Sequence, residues 1–579
     1  MVARAPLEYR VSIPKPHTHR VVVELTARGL ARGPAVFRLP AWSPGSYKIR
    51  DYARNVIRLE ARDARGRPLA ARKRDKQTWE VDRRGSAVVH LVYEVYCNEK
   101  TVRTCHVDDR HAFLQGPALF LYLDGQKDRA VRLRVDLPRG WHISTGLDPV
   151  PGTANAFRAP GYDDFVDCPL EIGTHKVIEF AQGGRPHRFA IYGKGNGDGR
   201  KIVADTRRLV AQAAKIFGGP LPYRHYTFLL ALYGAGAGGL EHKNSTALIT
   251  TRGAFQPRSR YLGFLGLVAH EFFHTWNVKR IRPEPLGPFD YEREVYTRAL
   301  WVLEGFTSYF DHLIVRRAGL MTRAEYLGKL GEQIQRFRET PGRSVQDLES
   351  SSFDAWIKHY QPDENTPNAT VSYYEKGSLV ALLLDLEIRR RSGGRRRLDD
   401  LMRLLWRRYG VHDRAFAERE IQGLAEEVAG GPLAGFFADF VRGTVELPFE
   451  EAFAPVGVEL AYDGPPDTQE ATLGVRLAGR SGPAIVGAVL ADGPAYRDGL
   501  NARDEIVAWN GARIDSGSLS ERLSQGRPGD RVRLTVFRDD ELRSLRVALG
   551  AKPAGALRVR ECREPSPEQK AALEAWLGS

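Results

Sequence analysis

The first part of the chain alternates apolar and polar side chains with a period of two residues. The alternation is clear at 21–25, 87–93 and 130–135, and turns rich in glycine, proline and aspartate separate the alternating stretches. This pattern is typical of strands that bury one face and expose the other. We therefore predict an all-β, sandwich-like domain over residues 1–172.

Helical periodicity replaces the alternation from about residue 200. Residues 201–217 form an amphipathic pattern, 226–232 an apolar strand that leads into a glycine-rich stretch, and helical segments dominate from about 260 to 445. Short strands and glycine turns return after 462, and a last helix is predicted at 565–577. The pattern indicates a multidomain α+β protein. Its further parts are a largely helical domain at 173–460, a small β domain at 461–552 and a helical tail at 553–579.

The composition and charge exclude several classes of protein. Of the 579 residues, 42% are hydrophobic and 27% are charged, so each domain can bury a core and general disorder is excluded. The net charge is +15, but the arginines are scattered between acids. The densest basic run, at 389–397, is interrupted by Ser-Gly-Gly, which indicates a helix end, its glycine cap and the next helix start. We expect no nucleic-acid partner.

The cysteines and the hydropathy bear on the cellular compartment. Cys97, Cys105, Cys168 and Cys562 are too few and too scattered for a disulfide framework, so four reduced thiols are expected. The first twenty residues lack the apolar stretch of a secretory signal, and no run approaches 18 uninterrupted apolar residues. The sequence therefore predicts a cytoplasmic protein without a membrane partner.

The strongest chemical signal is His-Glu-Phe-Phe-His at 270–274, directly after an apolar stretch. Residues four apart lie on the same face of a helix, so His270 and His274 can point at one metal ion. Glu271 could then reach a metal-bound water as a general base. The alternative is a pair of surface histidines on an ordinary helix, and the flanking residues favour the metal site.

A zinc site of this kind needs a third protein ligand and one open position. Glu294 and Glu304 compete for that role. Glu304 stands in an otherwise apolar helical segment, where an uncompensated carboxylate would be costly, whereas Glu294 could simply be solvated in a polar stretch. We therefore favour Glu304. Asp311, on the same helical face, either orients a ligand histidine or is a solvated acid near the helix end.

Several elements together resemble one family. They are His-Glu-Phe-Phe-His-Thr-Trp-Asn-Val-Lys at 270–279, Glu-Gly-Phe-Thr-Ser-Tyr-Phe at 304–310, Tyr-Tyr-Glu-Lys-Gly at 373–377 and Trp-Ser-Pro-Gly-Ser-Tyr at 42–47. The chain resembles the glycyl aminopeptidase family of zinc metallopeptidases over nearly its whole length. The resemblance implies a thermolysin-like catalytic domain of the gluzincin type, with one Zn²⁺ per chain at His270, His274 and Glu304. Ser308 stands where thermolysin has an acidic residue, four positions after the glutamate ligand.

A glycine-rich stretch resembles the exopeptidase motif of related aminopeptidases. Gly238 and Gly239 precede Glu241 at the end of a predicted strand, and glycines let a substrate backbone approach a strand edge closely. The resemblance implies that Glu241 pairs with the free α-ammonium of a peptide. The alternative is an ordinary glycine turn with a solvated glutamate.

A tyrosine pair precedes another predicted helix. By resemblance, Tyr374 is the tyrosine that donates a hydrogen bond to the developing oxyanion. The alternative is a core tyrosine at the helix start, and Tyr373 is the neighbour with which it could be confused.

The C-terminal β domain is similar to a bacterial PDZ domain. Leu473, Gly474 and Val475 precede a predicted strand, and turn motifs at 492–495 and 509–511 follow. The backbone amides of this Leu-Gly-Val turn could hold a terminal carboxylate while the peptide adds as a strand. The alternative is a purely structural appendage.

The motifs together predict a zinc-dependent aminopeptidase. It would hydrolyse the N-terminal residue from peptides with a free N-terminus, by zinc-activated water with Glu271 as general base. The resemblance implies a preference for N-terminal glycine or alanine, and C-terminal peptide tails are possible partners at the PDZ domain. The alternatives are a zinc endopeptidase with PDZ-recruited substrates and a non-catalytic PDZ scaffold.

Overall fold

The structure, a computed structural model, describes residues 4–465 and 467–578. Its packing divides the chain into two compact units. The first comprises Met1–Thr297, Phe310–Leu320 and Met402–Glu418, and the second comprises Arg298–Tyr309, Met321–Leu401 and Arg419–Ser579.

Short strands build the N-terminal part of the first unit, and alternate residues along the long ones are buried, as the sequence pattern predicts. The strands are β1 (Leu7–Ser12), β2 (Arg20–Arg28), β3 (Ala35–Arg38), β4 (Val56–Arg62), β5 (Pro68–Leu69), β6 (Ala71–Lys73), β7 (Thr78–Val81), β8 (Val88–Tyr96), β9 (His106–Val107), β10 (His111–Leu114), β11 (Tyr122–Leu123), β12 (Val131–Asp136), β13 (His142–Thr145), β14 (Asp148–Pro149), β15 (Ala156–Ala159) and β16 (Leu170–Gly173). Two short helices accompany them, α1 (Gly116–Leu119) and α2 (Tyr162–Val166).

These strands form three sheets around one apolar core. The largest has eight strands in the order β14-β15-β12-β1-β2-β8-β4-β5, and two four-stranded sheets have the orders β13-β16-β10-β9 and β11-β3-β7-β6. Their inward residues include Tyr9, Val23, Phe37, Leu91 and Tyr93, all almost fully buried. Burial of this apolar surface is what holds the domain together.

A five-stranded sheet follows in the same unit. Its strands are β17 (Lys176–Gln182), β18 (Arg185–Tyr192), β19 (Tyr226–Tyr233), β20 (Gly238–Glu241) and β21 (Ser245–Thr251), in the order β17-β18-β19-β21-β20. Strand β20 is therefore an edge strand, antiparallel to β21. Two helices belong to this part of the unit, α3 (Gly199–Phe217) and α4 (Arg258–Phe273). Helix α3 begins where Asp198 accepts a hydrogen bond from the Arg200 amide and ends at Gly218 in a left-handed conformation.

Helices dominate the rest of the chain up to residue 453. They are α5 (Phe306–Arg317), α6 (Arg323–Arg338), α7 (Leu348–Phe353), α8 (Thr366–Ala369), α9 (Glu375–Ser392), α10 (Leu398–Arg408), α11 (Glu420–Ala429), α12 (Ala434–Phe436) and α13 (Phe449–Phe453). A reciprocal capping box of Thr322 and Glu325 starts α6. Helix α9 ends before Gly393, whose φ of 59° closes it, and α10 begins at Leu398. The interpretation of the basic run as a capped helix end is confirmed.

The C-terminal part of the second unit returns to short strands. They are β22 (Val458–Tyr462), β23 (Gln469–Thr472), β24 (Val475–Leu477), β25 (Ala484–Val489), β26 (Glu505–Trp509), β27 (Ala512–Arg513), β28 (Arg531–Arg538), β29 (Glu541–Ala548), β30 (Gly550–Pro553) and β31 (Leu557–Glu561), with helices α14 (Pro494–Arg497), α15 (Ser516–Gln525) and α16 (Pro567–Leu577). A separate apolar core that includes Val486, Leu500, Ile506 and Leu534 fills this domain.

The predicted fold class is confirmed: a β-rich N-terminal part, a helical middle part and a β-rich C-terminal part follow one another along the chain. The segment predicted as one helix around Glu304 differs in detail. Residues Trp301–Gly305 form a π-helical turn that runs directly into α5. Among the described residues, no helix is both long enough and apolar enough to cross a membrane.

Candidate active site

The two motif histidines stand at the C-terminal end of α4. This helix is apolar on most of its surface and buries Leu262, Leu265 and Phe272, so its end is held rigidly. His270 lies in the last turn, and His274 directly follows the helix with helical backbone angles. Their ring centroids are 4.7 Å apart. The helical spacing therefore places both imidazoles on one face, as the sequence predicts.

Each of these imidazoles is oriented through its Nδ1 atom. Nδ1 of His274 lies 2.6 Å from the Asn277 carbonyl oxygen, and Nδ1 of His270 lies 3.4 Å from a carboxylate oxygen of Asp311. A carbonyl oxygen can only accept a hydrogen bond, so His274 carries its proton on Nδ1 and its lone pair on Nε2. Imidazoles held in this way by a carbonyl and a carboxylate are the arrangement found around zinc ligands. The donor set of this helix end fits a zinc ion.

Asp311 supplies the carboxylate that contacts His270. Burial by itself raises the pKa of this carboxyl, but the His312 and His270 imidazoles outweigh that effect and hold the pKa at about 2. Asp311 is therefore ionised, and its other oxygen lies 2.6 Å from Nδ1 of His312. The acid that orients the histidine comes seven residues after Glu304, whereas Ser308 occupies the position that thermolysin fills with an acid.

Glu271 points at the edge strand of the five-stranded sheet. The side chain is only 5% exposed. A Cβ atom added to Gly239 would overlap with the carboxyl group of Glu271, so only glycine leaves room for this carboxylate against β20. One carboxylate oxygen from Glu271, one from Glu241 and one nitrogen of His274 all lie within 4.8 Å of one another. The structure thus brings Glu241, Gly239 and Glu271 together with the second histidine.

The N-terminal loop at 42–47 covers Glu241. Trp42 anchors this loop and is fully buried. Gly45 has φ of +83°, and a Cβ atom at this position would overlap with both carboxylate oxygens of Glu241. Glu241 itself is 4% exposed. The Pro-Gly turn of the N-terminal domain therefore lies directly on the glutamate that the sequence assigns to the peptide terminus.

We expect Gly239→Ala to lower kcat/KM by at least about tenfold, because the added methyl group must displace Glu271 from its place beside the strand. The matched control is Gly234→Ala, since Gly234 has nothing within 4 Å of the added carbon. Hydrolysis of an alanyl chromogenic substrate and thermal unfolding of both variants are the measurements. Equal activity of the two variants would show that the glycine has no role beside Glu271.

In the second unit, Glu304 lies in the π-helical turn and is 2% exposed. Such turns are rare and occur often at functional sites. Glycine contacts hold this turn against the start of α9: a Cβ atom at Gly305 would lie 2.6 Å from the backbone of Gly377. The Glu-Gly element at 304–305 and the Lys-Gly element at 376–377 therefore meet at their glycines. Glu294 lies in an irregular segment and is half-buried.

Tyr374 occupies the residue immediately before α9 and is half-buried, whereas Tyr373 is fully buried. Only Tyr374 of the pair therefore has a surface that a substrate could meet. The His359 ring stacks on Tyr374, with ring centroids 5.4 Å apart. Burial of the imidazole lowers the pKa of His359, and the negative charge of Glu304 acts in the opposite direction. Glu304, His359 and Tyr374 thus belong to one neighbourhood of the second unit.

The Leu-Gly-Val turn of the C-terminal domain links β23 to β24. Leu473 is buried, and Gly474 has φ of +69°, which a turn of this kind requires. Val475 begins β24, which is the edge strand in the order β24-β25-β26-β28-β29. The Gly474 amide donates a hydrogen bond to the Thr472 hydroxyl at 3.1 Å. An edge strand beside a glycine turn is compatible with the addition of a peptide strand.

Sequence reasoning missed two residues near these groups. His359 carries no recognisable motif, and its place beside Tyr374 depends on how the 357–374 segment folds back. Arg103 in the N-terminal domain donates a hydrogen bond from Nη2 to the carbonyl oxygen of Gly239 at 3.5 Å. No local signal marks Arg103, since it is 136 residues away from its partner.

The fold and the site together define a metallopeptidase with a His-Glu-x-x-His helix, an N-terminal β domain and a C-terminal PDZ domain. Three family profiles match the chain: the Peptidase M61 N-terminal domain at 8–174, the M61 glycyl aminopeptidase at 263–380 and a PDZ domain at 471–549. The chain is also similar to the crystal structure of an aminopeptidase N family protein from Idiomarina loihiensis. The two are 31% identical with a TM-score of 0.93, over 99% of this chain and 100% of that one.

The chain belongs to the M61 glycyl aminopeptidase family, and the family resemblance read from the motifs is confirmed. Curated relatives match only a short part of the chain. The probable periplasmic serine endoprotease DegP-like of Brucella suis is 32% identical over 99 residues, and its counterpart from Halomonas elongata is 39% identical over 71. These matches cover 17% and 12% of this chain, and the chain spans less than a fifth of the length of these curated relatives.

Proposed function

We propose that this protein is a zinc-dependent aminopeptidase that removes the N-terminal residue, glycine or alanine, from peptides. The observation that carries the proposal is the closeness of Glu241, Glu271 and His274 at the edge strand β20. One carboxylate is needed to hold a peptide ammonium and a second to move a proton, and both lie beside a histidine suited to a metal. The preference for glycine rests on the family description, and its extension to alanine rests on the resemblance stated from the motifs.

One zinc ion per chain would be held by His270, His274 and Glu304. The two imidazoles are oriented for this role through Nδ1, and Glu304 is a buried carboxylate in a π-helical turn. Two imidazoles and one carboxylate are a common ligand set of catalytic zinc. When bound, zinc supplies a Lewis acid that lowers the pKa of a coordinated water and polarises the scissile carbonyl group.

Glu271 would transfer the proton, and Tyr374 would stabilise the negative charge that develops on the carbonyl oxygen. Glu271 accepts a proton from the attacking water and returns it to the leaving amine. The hydroxyl of Tyr374 donates a hydrogen bond to the oxygen on which negative charge develops. Glu271 is confined by Gly239 and little exposed, so its carboxylate keeps one position with respect to the edge strand.

Glu241 would restrict cleavage to the first peptide bond. Its carboxylate is nearly buried under Gly45, where an ion pair with a substrate ammonium is stronger than on the surface. A peptide anchored by its ammonium presents its first carbonyl group, and no other, to the site. The oxygen atoms of Glu241 and Glu271 that lie within 4.8 Å of each other support this spacing.

We expect Glu241→Ala to raise KM and lower kcat for peptides with a free N-terminal alanine, by at least about tenfold in kcat/KM. Residual activity on the N-acetylated form of the same peptide should not change, because that form has no ammonium. The measurement is kcat/KM for the free and the acetylated peptide in each variant. Glu179→Ala is the matched control, since Glu179 is an exposed acid on the same sheet that pairs with Arg188.

Two results would contradict the role of Glu241. If both peptides lose activity by the same factor, Glu241 is a structural residue. If the wild-type enzyme cleaves acetylated peptides as fast as free ones, the protein is an endopeptidase. The non-catalytic scaffold is disfavoured by the family assignment together with an intact His270, Glu271 and His274.

The PDZ domain would bind C-terminal peptide tails at Leu473, Gly474 and Val475. The edge position of β24 and the glycine turn support this part of the proposal. The domain is also tied to the helical part of its unit: the Asn368 side-chain amide donates to the Val489 carbonyl and accepts from the Ala491 amide, both at 2.8 Å. Asn368, which makes both hydrogen bonds, belongs to the segment that leads to Tyr374.

A further inference from the structure

Arg103 places a positive charge beside the edge strand of the five-stranded sheet. Its Nη2 atom lies 3.5 Å from the carbonyl oxygen of Gly239, and its Nη1 atom lies 3.9 Å from the position of a Cβ atom on Gly238. The residue is half-buried. The guanidinium group therefore lies along β20, two residues before Glu241.

The loop that carries Arg103 is firmly held. The Tyr52 hydroxyl donates to the Arg103 carbonyl at 2.8 Å, and the Arg103 amide donates to the Thr101 hydroxyl at 3.0 Å. The preceding residue, Val102, is buried in an apolar cluster that also contains Leu240 of the edge strand. The position of Arg103 beside β20 is thus built into the packing of the N-terminal domain on the sheet.

The residues that the structure describes give the charge of Arg103 no acidic partner. Among residues 4–465 and 467–578, the guanidinium bonds to the Gly239 carbonyl but forms no ion pair with a carboxylate, and its buried Nε atom has no hydrogen-bond partner. A half-buried guanidinium normally pairs with a carboxylate or a phosphate. Glu241 places a carboxylate two residues further along the strand, so β20 has a guanidinium group beside Gly239 and a carboxylate at Glu241.

The hydrogen-bond pattern of β20 leaves one side of the strand available to a peptide. Gly238 and Leu240 pair with Ile249 and Ala247, and the His242 amide donates to the Ser245 carbonyl. Inward and outward residues alternate in an antiparallel pair, so Gly239 and Glu241 direct their backbone groups away from β21, where the Gly239 carbonyl accepts a hydrogen bond from Arg103. A substrate anchored at Glu241 that pairs with this edge runs toward Gly239, antiparallel to β20.

The spacing along β20 matches a dipeptide. Glu241 and Gly239 are two residues apart, which is about 6.7 Å in a strand, and an extended dipeptide spans a similar length from its ammonium to its carboxylate. A peptide held at Glu241 therefore brings the carboxyl group of its second residue to Arg103.

We propose that Arg103 binds the α-carboxylate of dipeptide substrates, so that the enzyme prefers dipeptides with a free C-terminus. This inference rests on the proposed aminopeptidase function. The planar guanidinium can hold a carboxylate by two parallel hydrogen bonds, which a neutral terminal amide cannot match. Glu241 then binds the ammonium group of the dipeptide, and Arg103 binds its α-carboxylate.

The test compares Ala-Ala with Ala-Ala-amide by kcat/KM, in the wild type, Arg103→Gln, Arg103→Lys and the control Arg110→Gln. Arg110 is an exposed arginine of the same domain. The wild type and Arg110→Gln should prefer the free acid by about tenfold or more. In Arg103→Gln the ratio should fall to about one. Arg103→Lys keeps the positive charge but cannot form two parallel hydrogen bonds, so we expect a preference between those of the wild type and Arg103→Gln. This variant replaces Arg103→Gln in the test if the glutamine variant does not fold.

A third substrate, Ala-Asp-amide, has a side-chain carboxylate at its second residue but no α-carboxylate. It therefore shows which of the two carboxylates the enzyme recognises. A preference for Ala-Asp-amide without a preference for free Ala-Ala would overturn the assignment to the α-carboxylate. A wild-type ratio near one, or an unchanged ratio in Arg103→Gln, would overturn the role of Arg103. If the wild type cleaves neither these peptides nor an alanyl chromogenic substrate, it is the aminopeptidase proposal itself that fails.

Discussion

Replacement of Glu271 by glutamine is expected to lower kcat by about 10²- to 10⁴-fold while the zinc content stays unchanged. The reason is that an amide of nearly the same shape cannot accept a proton from water, and the loss of a general base has an effect of this size. Metal retention is expected because the two imidazoles are oriented by Asn277 and Asp311, which the substitution leaves in place.

The Glu271 experiment combines two measurements on one preparation. Turnover of an alanyl chromogenic substrate reports the chemistry, and elemental analysis of the purified protein reports the metal. Glu284→Gln is the control, since Glu284 is an exposed acid that follows the same helix. Near-normal turnover of Glu271→Gln would remove Glu271 from the mechanism, and loss of zinc would show that its role is structural.

The second large effect is expected at Glu304. Glu304→Gln should weaken zinc binding by at least about 100-fold, because a neutral amide oxygen replaces an anionic ligand. Glu294→Gln should change zinc binding by less than about twofold. The structural contrast is clear: Glu304 is buried in a π-helical turn, and Glu294 is half-buried in an irregular segment.

Zinc affinity of the two variants can be compared by dialysis against graded concentrations of a chelator. Thermal unfolding of the metal-free proteins is the necessary companion measurement, because Glu304 is buried next to Gly305, which packs on Gly377. The reverse order, with Glu294→Gln losing zinc and Glu304→Gln keeping it, would mean that the third ligand was wrongly chosen.

Local periodicity explains how much of the fold the sequence could predict. Alternation and helical periodicity depend on neighbours within a few residues. The strands predicted from 21–25 and 87–93 and the helix predicted at 201–217 are confirmed as β2, β8 and α3. The His270–His274 pair could be predicted for the same reason, since four residues make about one helical turn. The π-helical turn at 301–305 has no such signature, because its hydrogen-bond register depends on packing.

The same distinction between short-range patterns and long-range contacts applies to the candidate site. The amino-acid sequence by itself determined the His-Glu-x-x-His spacing and the glycine-rich approach to Glu241, because these are short-range patterns. Only the tertiary structure decided that Gly45 covers Glu241, that Asp311 contacts His270, and that Arg103 borders Gly239. The physical reason is that these contacts join residues from 41 to 196 positions apart, which meet only when separate elements pack together.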